Sequence, residues 1–231
     1  MNKLVRAAQQ VQELLTTHGI RFCFIGGFAV QRHAEPRVTR DVDVSVMTGL
    51  GNEGPVIDIL MAGFAARRPD AREFALRARV LLLRNDDDIG IDATLTALPY
   101  EIEVIDRSTE FEFAPGVHLR TCSAEDLLVL KIFAGRPIDW RDVEMILRRH
   151  GRAGLDLDYV DSRVAPLVEA KGEPDLLVEY GRLRARYAAD RRGGGRGHRP
   201  VGQRHPPPRR RRRHDQRAYS KPSSNSPAAR T

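Results

Sequence analysis

The fold is decided by residues 20–47, which read IRFCFIGGFAVQRHAEPRVTRDVDVSVM. The first six residues of this stretch are apolar enough to predict a buried strand, and Gly26-Gly27 break it into a segment of helical length. The last seven residues alternate strictly, so their valines share one face of a predicted strand while Asp41 and Asp43 share the other. A strand, a glycine turn, a helix and a second strand with two acids therefore follow one another directly.

Further elements are predicted on both sides of this unit. Apolar positions at helical spacing predict a helix over residues 3–18, which Gly19 stops. A pair of strands is predicted at residues 76–84 and 89–96. In the second of these strands Asp92 alternates with apolar residues, so its side chain is expected to point away from the core.

From Ser123 onward the pattern is helical. Ser123 followed three residues later by Asp126 predicts a helix N-terminus. A second helix is expected from about residue 138 to 149, and two or three more over residues 158–189, the first of them interrupted by Pro166. The fold class is therefore predicted to be α/β: a small mixed sheet flanked by helices, followed by a helical C-terminal part.

Composition divides the chain into a core over residues 1–122, a helical part over 123–190 and a tail over 191–231. The tail holds 13 of the 38 Lys and Arg but one of the 31 Asp and Glu, so its net charge is +12 and that of the remaining chain is −5. Because it is rich in Arg, Pro, Gly and Ser, we expect the tail to be disordered. The run Arg209 to Arg213 favours contact with RNA or DNA phosphates. A solvated accessory, or a stretch translated out of frame, would have the same composition.

Several classes of protein are disfavoured. Cys23 and Cys122 are 99 positions apart, which suggests neither a disulfide scaffold nor a zinc site. The longest nearly unbroken apolar stretch, residues 22–30, is about half of the ~18 residues that suggest a membrane span. The N-terminal residues turn polar too early for a secretory signal. We therefore expect a cytoplasmic protein with no membrane segment.

Three acids carry the predicted chemistry: Asp41, Asp43 and Asp92, on the open faces of neighbouring strands. At an effective dielectric constant near 20, each ionised pair about 6 Å apart repels by roughly 3 kcal/mol, which is large beside a domain stability of about 5–15 kcal/mol. Mg²⁺ or Mn²⁺ relieves this repulsion because both prefer hard oxygen ligands, and substrate phosphates commonly complete their coordination. The cluster predicts phosphoryl or nucleotidyl transfer; ordinary surface acids on a solvent-facing strand are the alternative.

Phosphates also need a binding surface. Gly26 and Gly27 lie just ahead of a predicted helix, so backbone N–H groups and the positive end of the helix dipole can approach an anion closely. Asp139 and Asp142 are expected to cap or flank the start of a helix rather than to take part in chemistry. His33 is expected at a loop or surface position.

These motifs resemble the minimal nucleotidyltransferase domain of the DNA polymerase beta superfamily. The resemblance rests on the segment Gly26–Val30, on the segment Arg37–Asp43 and on Asp92. A later part of the chain, residues 123–142 with Lys131 within it, is similar to the abortive-infection toxin-like nucleotidyltransferases. Together the resemblance covers roughly residues 1–150.

The resemblance implies a role for each matching residue. The resemblance implies that Asp41, Asp43 and Asp92 bind metal. Asp92 is the third acid of this set and also the candidate base. The residues implied to bind the nucleotide are Gly26, Gly27, Arg37, Arg40 and Lys131. This chain departs from the superfamily pattern at Gly27, where a serine often helps to hold phosphate, so only backbone donors are available at that position.

The resemblance also implies a reaction. A nucleoside monophosphate would move from an NTP to an acceptor in the presence of Mg²⁺ or Mn²⁺, with an RNA such as transfer RNA as the first expected acceptor and a neighbouring antitoxin protein as a further partner. Two alternatives stay open. One is an aminoglycoside-type enzyme that modifies a small molecule, and the other is a non-catalytic antitoxin-like or scaffold protein that keeps the fold.

Overall fold

A mixed sheet of seven strands lies at the centre of the residues that the computed structural model describes, 2–151 and 154–189. The strands, in chain order, are β1 (Phe22–Phe24), β2 (Asp41–Met47), β3 (Ala65–Ala66), β4 (Val80–Arg84), β5 (Gly90–Thr96), β6 (Thr109–Ala114) and β7 (Val117–Thr121). In space they are ordered β3-β4-β5-β2-β1-β7-β6. This mixed α/β architecture confirms the predicted fold class.

Helices connect the strands and continue after them. Before and between the strands they are α1 (Lys3–Thr17), α2 (Gly26–His33), α3 (Glu53–Gly63), α4 (Ala71–Ala78) and α5 (Pro99–Asp106). After β7 they are α6 (Ala124–Ala134), α7 (Pro137–His150), α8 (Leu157–Lys171) and α9 (Asp175–Ala189). The predicted boundary at residues 122 and 123 falls between β7 and α6. No helix among the described residues is long and apolar enough to cross a bilayer.

The central strand β2 fixes the geometry of the site. It pairs with β1 in antiparallel fashion and with β5 in parallel fashion. In the parallel ladder Asp43 lies opposite Asp92, and Asp41 lies opposite Gly90. Since side chains alternate between the faces of a sheet, Asp41, Asp43 and Asp92 all point to the same face.

The two faces of the sheet pack against different helices. Val42, Val44 and Val46 belong to a core that includes α1, α3 and α4. The opposite face carries Cys23 and Met47, which pack with apolar residues of α2 and of α5 through α9. Burying a Val or Leu side chain stabilises the fold by about 1.5–3 kcal/mol, so the valine face holds β2 firmly while its acidic face stays available.

Two predicted elements were wrong. The strand predicted from residue 76 begins at Val80, because the preceding residues form α4, which ends where Arg79 takes the left-handed conformation at φ 56°. Pro166 does not interrupt its helix but lies within α8. Pro166 and Ser162 are both exposed, so solvent can hydrate the carbonyl group of Ser162 that the proline leaves without an intrahelical donor. The predictions for residues 191–231 lie outside the described residues.

Candidate active site

The three predicted acids come together at one cavity. Asp41, Asp43 and Asp92 line a cavity of about 480 Å³, together with Gly26 and Gly27 at the start of α2. Asp43 and Asp92 are direct neighbours across the β2–β5 ladder, and Asp41 is two residues from Asp43 on the same face. The cavity therefore combines a carboxylate cluster with the N-terminus of a helix.

Glycines make room for these carboxylates. Gly26 has φ +52°, and a Cβ at this position would overlap the Asp43 carboxylate. The Gly27 N–H donates a hydrogen bond to Asp43 Oδ2 at 3.3 Å. A Cβ at Gly90 would overlap the Asp41 carboxylate in the same way. Gly90 was not predicted as a site residue, although its place two residues before Asp92 was a signal that could have found it.

The carboxylates disfavour one another's ionisation. Burial raises the pKa of Asp43, the negative charges of Asp92 and Asp41 raise it further, and the Gly27 N–H opposes the shift. Burial also raises the pKa of Asp92, with the charge of Asp41 adding to the effect and Arg67 opposing it. Burial is the largest cause of both shifts, and a cation bound by these carboxylates would oppose it by favouring their ionised forms.

This donor set fits a hard divalent cation. It consists of carboxylate oxygens, the ligands that Mg²⁺ and Mn²⁺ prefer. With the side chains as they stand, no three His, Cys, Asp or Glu residues in the described part of the chain are placed to hold a metal ion, and Asp92 forms an ion pair with Arg67. Asp41 and Asp43 would hold a cation, and Asp92 would join them by exchanging Arg67 for it.

Three basic side chains also line the cavity, and each of them is paired with a buried acid. Lys131 Nζ lies 2.8 Å from Asp139 Oδ1 and 2.8 Å from Asp142 Oδ2. Arg37 donates to both oxygens of Asp142, at 2.8 and 2.9 Å, and Arg136 Nε donates to Asp139 Oδ2 at 2.6 Å. Both aspartate side chains are fully buried. Two buried acids therefore fix three basic side chains that border the cavity.

This network revises several expectations. Asp139 does accept a hydrogen bond from the Arg136 backbone N–H at the start of α7, as expected for a capping residue. Burial opposes the ionisation of Asp139, but hydrogen bonds from Arg136 and Lys131 outweigh it and lower its pKa. Lys131 is nearly buried and bound to two carboxylates, so its ammonium group does not extend into the cavity as a single free charge. No role was predicted for Arg136, and Asp139 and Asp142 were predicted only to cap or flank a helix start, not to hold basic side chains at the cavity.

Two other residues lie away from their expected places. Arg40 is exposed and is not among the described residues that line the cavity, so its contact with a nucleotide stays a prediction. His33 was expected at the surface, which is wrong: it is buried on α2, and its Nε2 is 2.9 Å from the Cys122 carbonyl oxygen. His33 belongs to the packing between α2 and the end of β7 rather than to the cavity.

The remaining wall of the cavity combines apolar and polar residues. Its apolar residues include Val104, Leu127, Leu130 and the exposed Ile138, and the polar Ser45, Thr94 and Glu101 also line the cavity. The apolar part of this wall can contact the flat face of a base without selecting it by hydrogen bonds. The cavity thus offers acidic, basic and apolar surfaces side by side.

A mixed sheet that presents a Gly-Gly helix start beside three acids on neighbouring strands is the arrangement that the resemblance to nucleotidyltransferases predicts. The model of a family described as "Nucleotidyl transferase AbiEii toxin, Type IV TA system" matches residues 13–216. The chain belongs to this AbiEii nucleotidyltransferase family. This agrees with the resemblance seen in the sequence.

Solved structures of nucleotidyltransferases are also similar to the chain. A solution structure of the antibiotic-resistance factor ANT(2'')-Ia is 15% identical, with a TM-score of 0.41, over 81% of this chain and 95% of that one. A crystal structure of ANT(2'')-Ia with adenylyl-2''-tobramycin has the same identity and TM-score over 81% and 100%. A nucleotidyltransferase-like protein from Paracoccidioides brasiliensis is 16% identical, with a TM-score of 0.39, over 78% and 92%. No curated protein sequence matches the chain.

Proposed function

We propose that the chain transfers a nucleoside monophosphate from an NTP to an acceptor and releases pyrophosphate, in a reaction that requires Mg²⁺ or Mn²⁺. The observation that carries the proposal is the register of β2 and β5, which sets Asp43 directly opposite Asp92 on the face that also bears Asp41. The same face adjoins the Gly26-Gly27 start of α2. Carboxylates for a cation and N–H groups for a phosphate therefore share one cavity.

Different residues of the cavity bind the triphosphate and the cation. The N–H groups at the start of α2 and the cationic edge formed by Arg37, Lys131 and Arg136 attract the triphosphate. Because Asp139 and Asp142 already hold these cations, little side-chain entropy is lost when a phosphate arrives. A bound divalent cation would supply charge neutralisation at the carboxylates and would lower the pKa of the acceptor hydroxyl.

Asp92 is the candidate general base. The acceptor oxygen forms a bond to the α-phosphorus, the bond from that phosphorus to the bridging oxygen of pyrophosphate breaks, and the acceptor proton passes to the Asp92 carboxylate. Arg67 must leave Asp92 for this transfer, since it occupies one of the carboxylate oxygens.

We propose an RNA acceptor such as transfer RNA, and an antitoxin as the protein that counters the activity. The family description as a toxin of a toxin–antitoxin system supports both proposals. The +12 charge of residues 191–231 supports a polyanionic acceptor, because the rest of the chain carries −5. Cytoplasmic location follows from the same proposal.

The test is label transfer from α-labelled NTPs in Mg²⁺, offered total RNA and an aminoglycoside mixture. We expect labelled RNA with the wild-type chain and none with Asp43→Asn. Asp58→Asn is the matched control, since Asp58 is an exposed acid on α3 that does not line the cavity. Label in the small amines alone would favour the small-molecule alternative. No label in any acceptor, with wild type equal to Asp43→Asn, would refute enzymatic transfer.

A further inference from the structure

Thr39 places a hydroxyl group next to the glycine turn. It lies in the segment between α2 and β2, is half-buried, and lines the same cavity as Gly26, Gly27 and Asp43. No role was predicted for Thr39 from the sequence. Gly27 has no side chain, and Thr39 therefore brings a hydroxyl group to a part of the cavity that otherwise offers only backbone N–H groups.

The Thr39 side chain fills the space that a side chain at position 27 would need. A Cβ built on Gly27 would overlap Thr39, and the three atoms nearest to it are Thr39 Oγ1, Cβ and Cγ2, with Oγ1 the closest. The Gly27 backbone is outside the left-handed region, so its own conformation does not demand glycine. The neighbouring threonine is therefore what requires a glycine at position 27.

The Thr39 hydroxyl is available to a ligand. Its one hydrogen bond among the described residues is to the Asp41 carbonyl oxygen, at 3.3 Å, which is long for an O–H donor. A threonine hydroxyl carries one donor hydrogen that rotates about the Cβ–Oγ1 bond. A phosphate oxygen is a stronger acceptor than a carbonyl oxygen, because it is charged. The hydroxyl can exchange one for the other by rotation.

We propose that Thr39 Oγ1 donates a hydrogen bond to a phosphate oxygen of the bound NTP and thereby supplies the side-chain hydroxyl that Gly27 cannot. The proposal rests on the proposed function, because it takes the cavity to be the NTP site. It adds that the hydroxyl comes from the segment before β2 rather than from α2. It also adds that side chains cannot be present at both positions 27 and 39. A side chain that carries the hydroxyl at one position requires a glycine at the other.

The experiment measures binding of inorganic tripolyphosphate in Mg²⁺ by calorimetry on the full chain. Thr39→Val keeps the shape and removes the hydroxyl, so we expect roughly ten- to a hundredfold weaker binding, the value of a hydrogen bond to a charged group. Thr39→Ser keeps the hydroxyl and should bind like the wild-type chain. Asp43→Asn serves as the control for the site itself and should abolish binding in Mg²⁺.

Exchange of the two positions separates a binding role from a packing role. Gly27→Ser alone should lower the midpoint of thermal unfolding, because its side chain collides with Thr39, and adding Thr39→Gly should restore that midpoint. The double variant should also bind tripolyphosphate more tightly than Thr39→Gly alone, since the serine introduced on α2 then brings the hydroxyl from the other side.

The outcomes distinguish the role of Thr39 from the presence of an NTP site. If wild type binds, Asp43→Asn does not, and Thr39→Val binds like wild type, then the role of Thr39 is refuted while the NTP site stands. If the wild-type chain fails to bind tripolyphosphate, both the role of Thr39 and the NTP site are refuted. If Gly27→Ser is as stable as wild type, the mutual exclusion of positions 27 and 39 is refuted.

Discussion

Replacement of Lys131 by methionine tests whether the cationic edge of the cavity is built as the structure shows. The side chain of Lys131 is 8% exposed, and its Nζ lies 2.8 Å from both Asp139 and Asp142, whose side chains are fully buried. Methionine has a similar length and no charge. The substitution therefore removes one cation from between two buried anions and changes the packed volume little.

The expected cost follows from the partners that remain. Removing one member of a buried ion pair typically costs about 3–5 kcal/mol, because the other charge stays buried without compensation. Asp142 keeps its two bonds from Arg37, and Asp139 keeps those from Arg136. The loss should therefore lie near the lower limit, about 3 kcal/mol, which is still a large part of a total stability of about 5–15 kcal/mol.

The assay is urea unfolding at neutral pH, with Lys3→Met as the matched control. Lys3 Nζ lies 3.7 Å from Asp87, but its side chain is 67% exposed, so its removal should cost less than about 1 kcal/mol. A Lys131→Met variant as stable as Lys3→Met would refute the buried network. In that case a loss of nucleotide binding alone would mean that Lys131 contacts the triphosphate directly, as the family resemblance implies.

Two further substitutions follow from the geometry. Gly26→Ala should unfold at a clearly lower temperature than wild type and lose nucleotidyl transfer, because Gly26 has φ +52° and a Cβ there would overlap Asp43. The control Gly181→Ala, at a position on α9 with open space around it, should instead gain roughly 0.5–1 kcal/mol of stability. Equal melting temperatures for the two variants would contradict these expectations. His33→Gln should be less acid-labile than wild type. Burial, with Arg32 and His150 adding to it, lowers the pKa of His33 to about 4 from 6.5, so the unfolded chain binds the proton first and stability falls by up to about 3 kcal/mol as the pH drops from 6.5 to 4. Urea midpoints of the two proteins that stay parallel across this range would contradict that explanation.

Local patterns were sufficient to predict the elements around the site. Strict alternation over seven residues predicts β2 with its observed bounds, and a glycine after an amphipathic run predicts the end of α1 within one or two residues. The α5–β6–β7 part of the fold was not predicted. β6 is an edge strand with mostly exposed residues, so the burial that gives a strand its apolar signal is weak there.

The candidate site was predictable only in part, for a physical reason. Alternation shows that Asp92 points away from the core, but its place opposite Asp43 depends on β5 entering the sheet beside β2, which no local pattern encodes. Lys131 and Asp142 are eleven positions apart across the turn between α6 and α7, and their contact depends on how the two helices pack. Sequence periodicity describes faces of single elements, and it carries no information about which faces meet.

The two charged parts of the cavity are held in opposite ways, and this difference bears on how the protein works. On the acidic side, glycines at positions 26 and 90 let carboxylates approach the backbone closely. Burial raises the pKa of Asp43 and of Asp92, so these carboxylates are less readily ionised without a cation. On the basic side, Asp139 and Asp142 are buried and form ion pairs with Arg37, Lys131 and Arg136, so these basic side chains are held in place before any ligand binds. A ligand that brings both a divalent cation and phosphate oxygens neutralises the carboxylates on the acidic side. Its phosphate oxygens also contact basic side chains that are already held in place. Neither a free cation nor a free phosphate can do both, so the cavity should bind a metal–triphosphate complex more tightly than the separate affinities of its parts suggest.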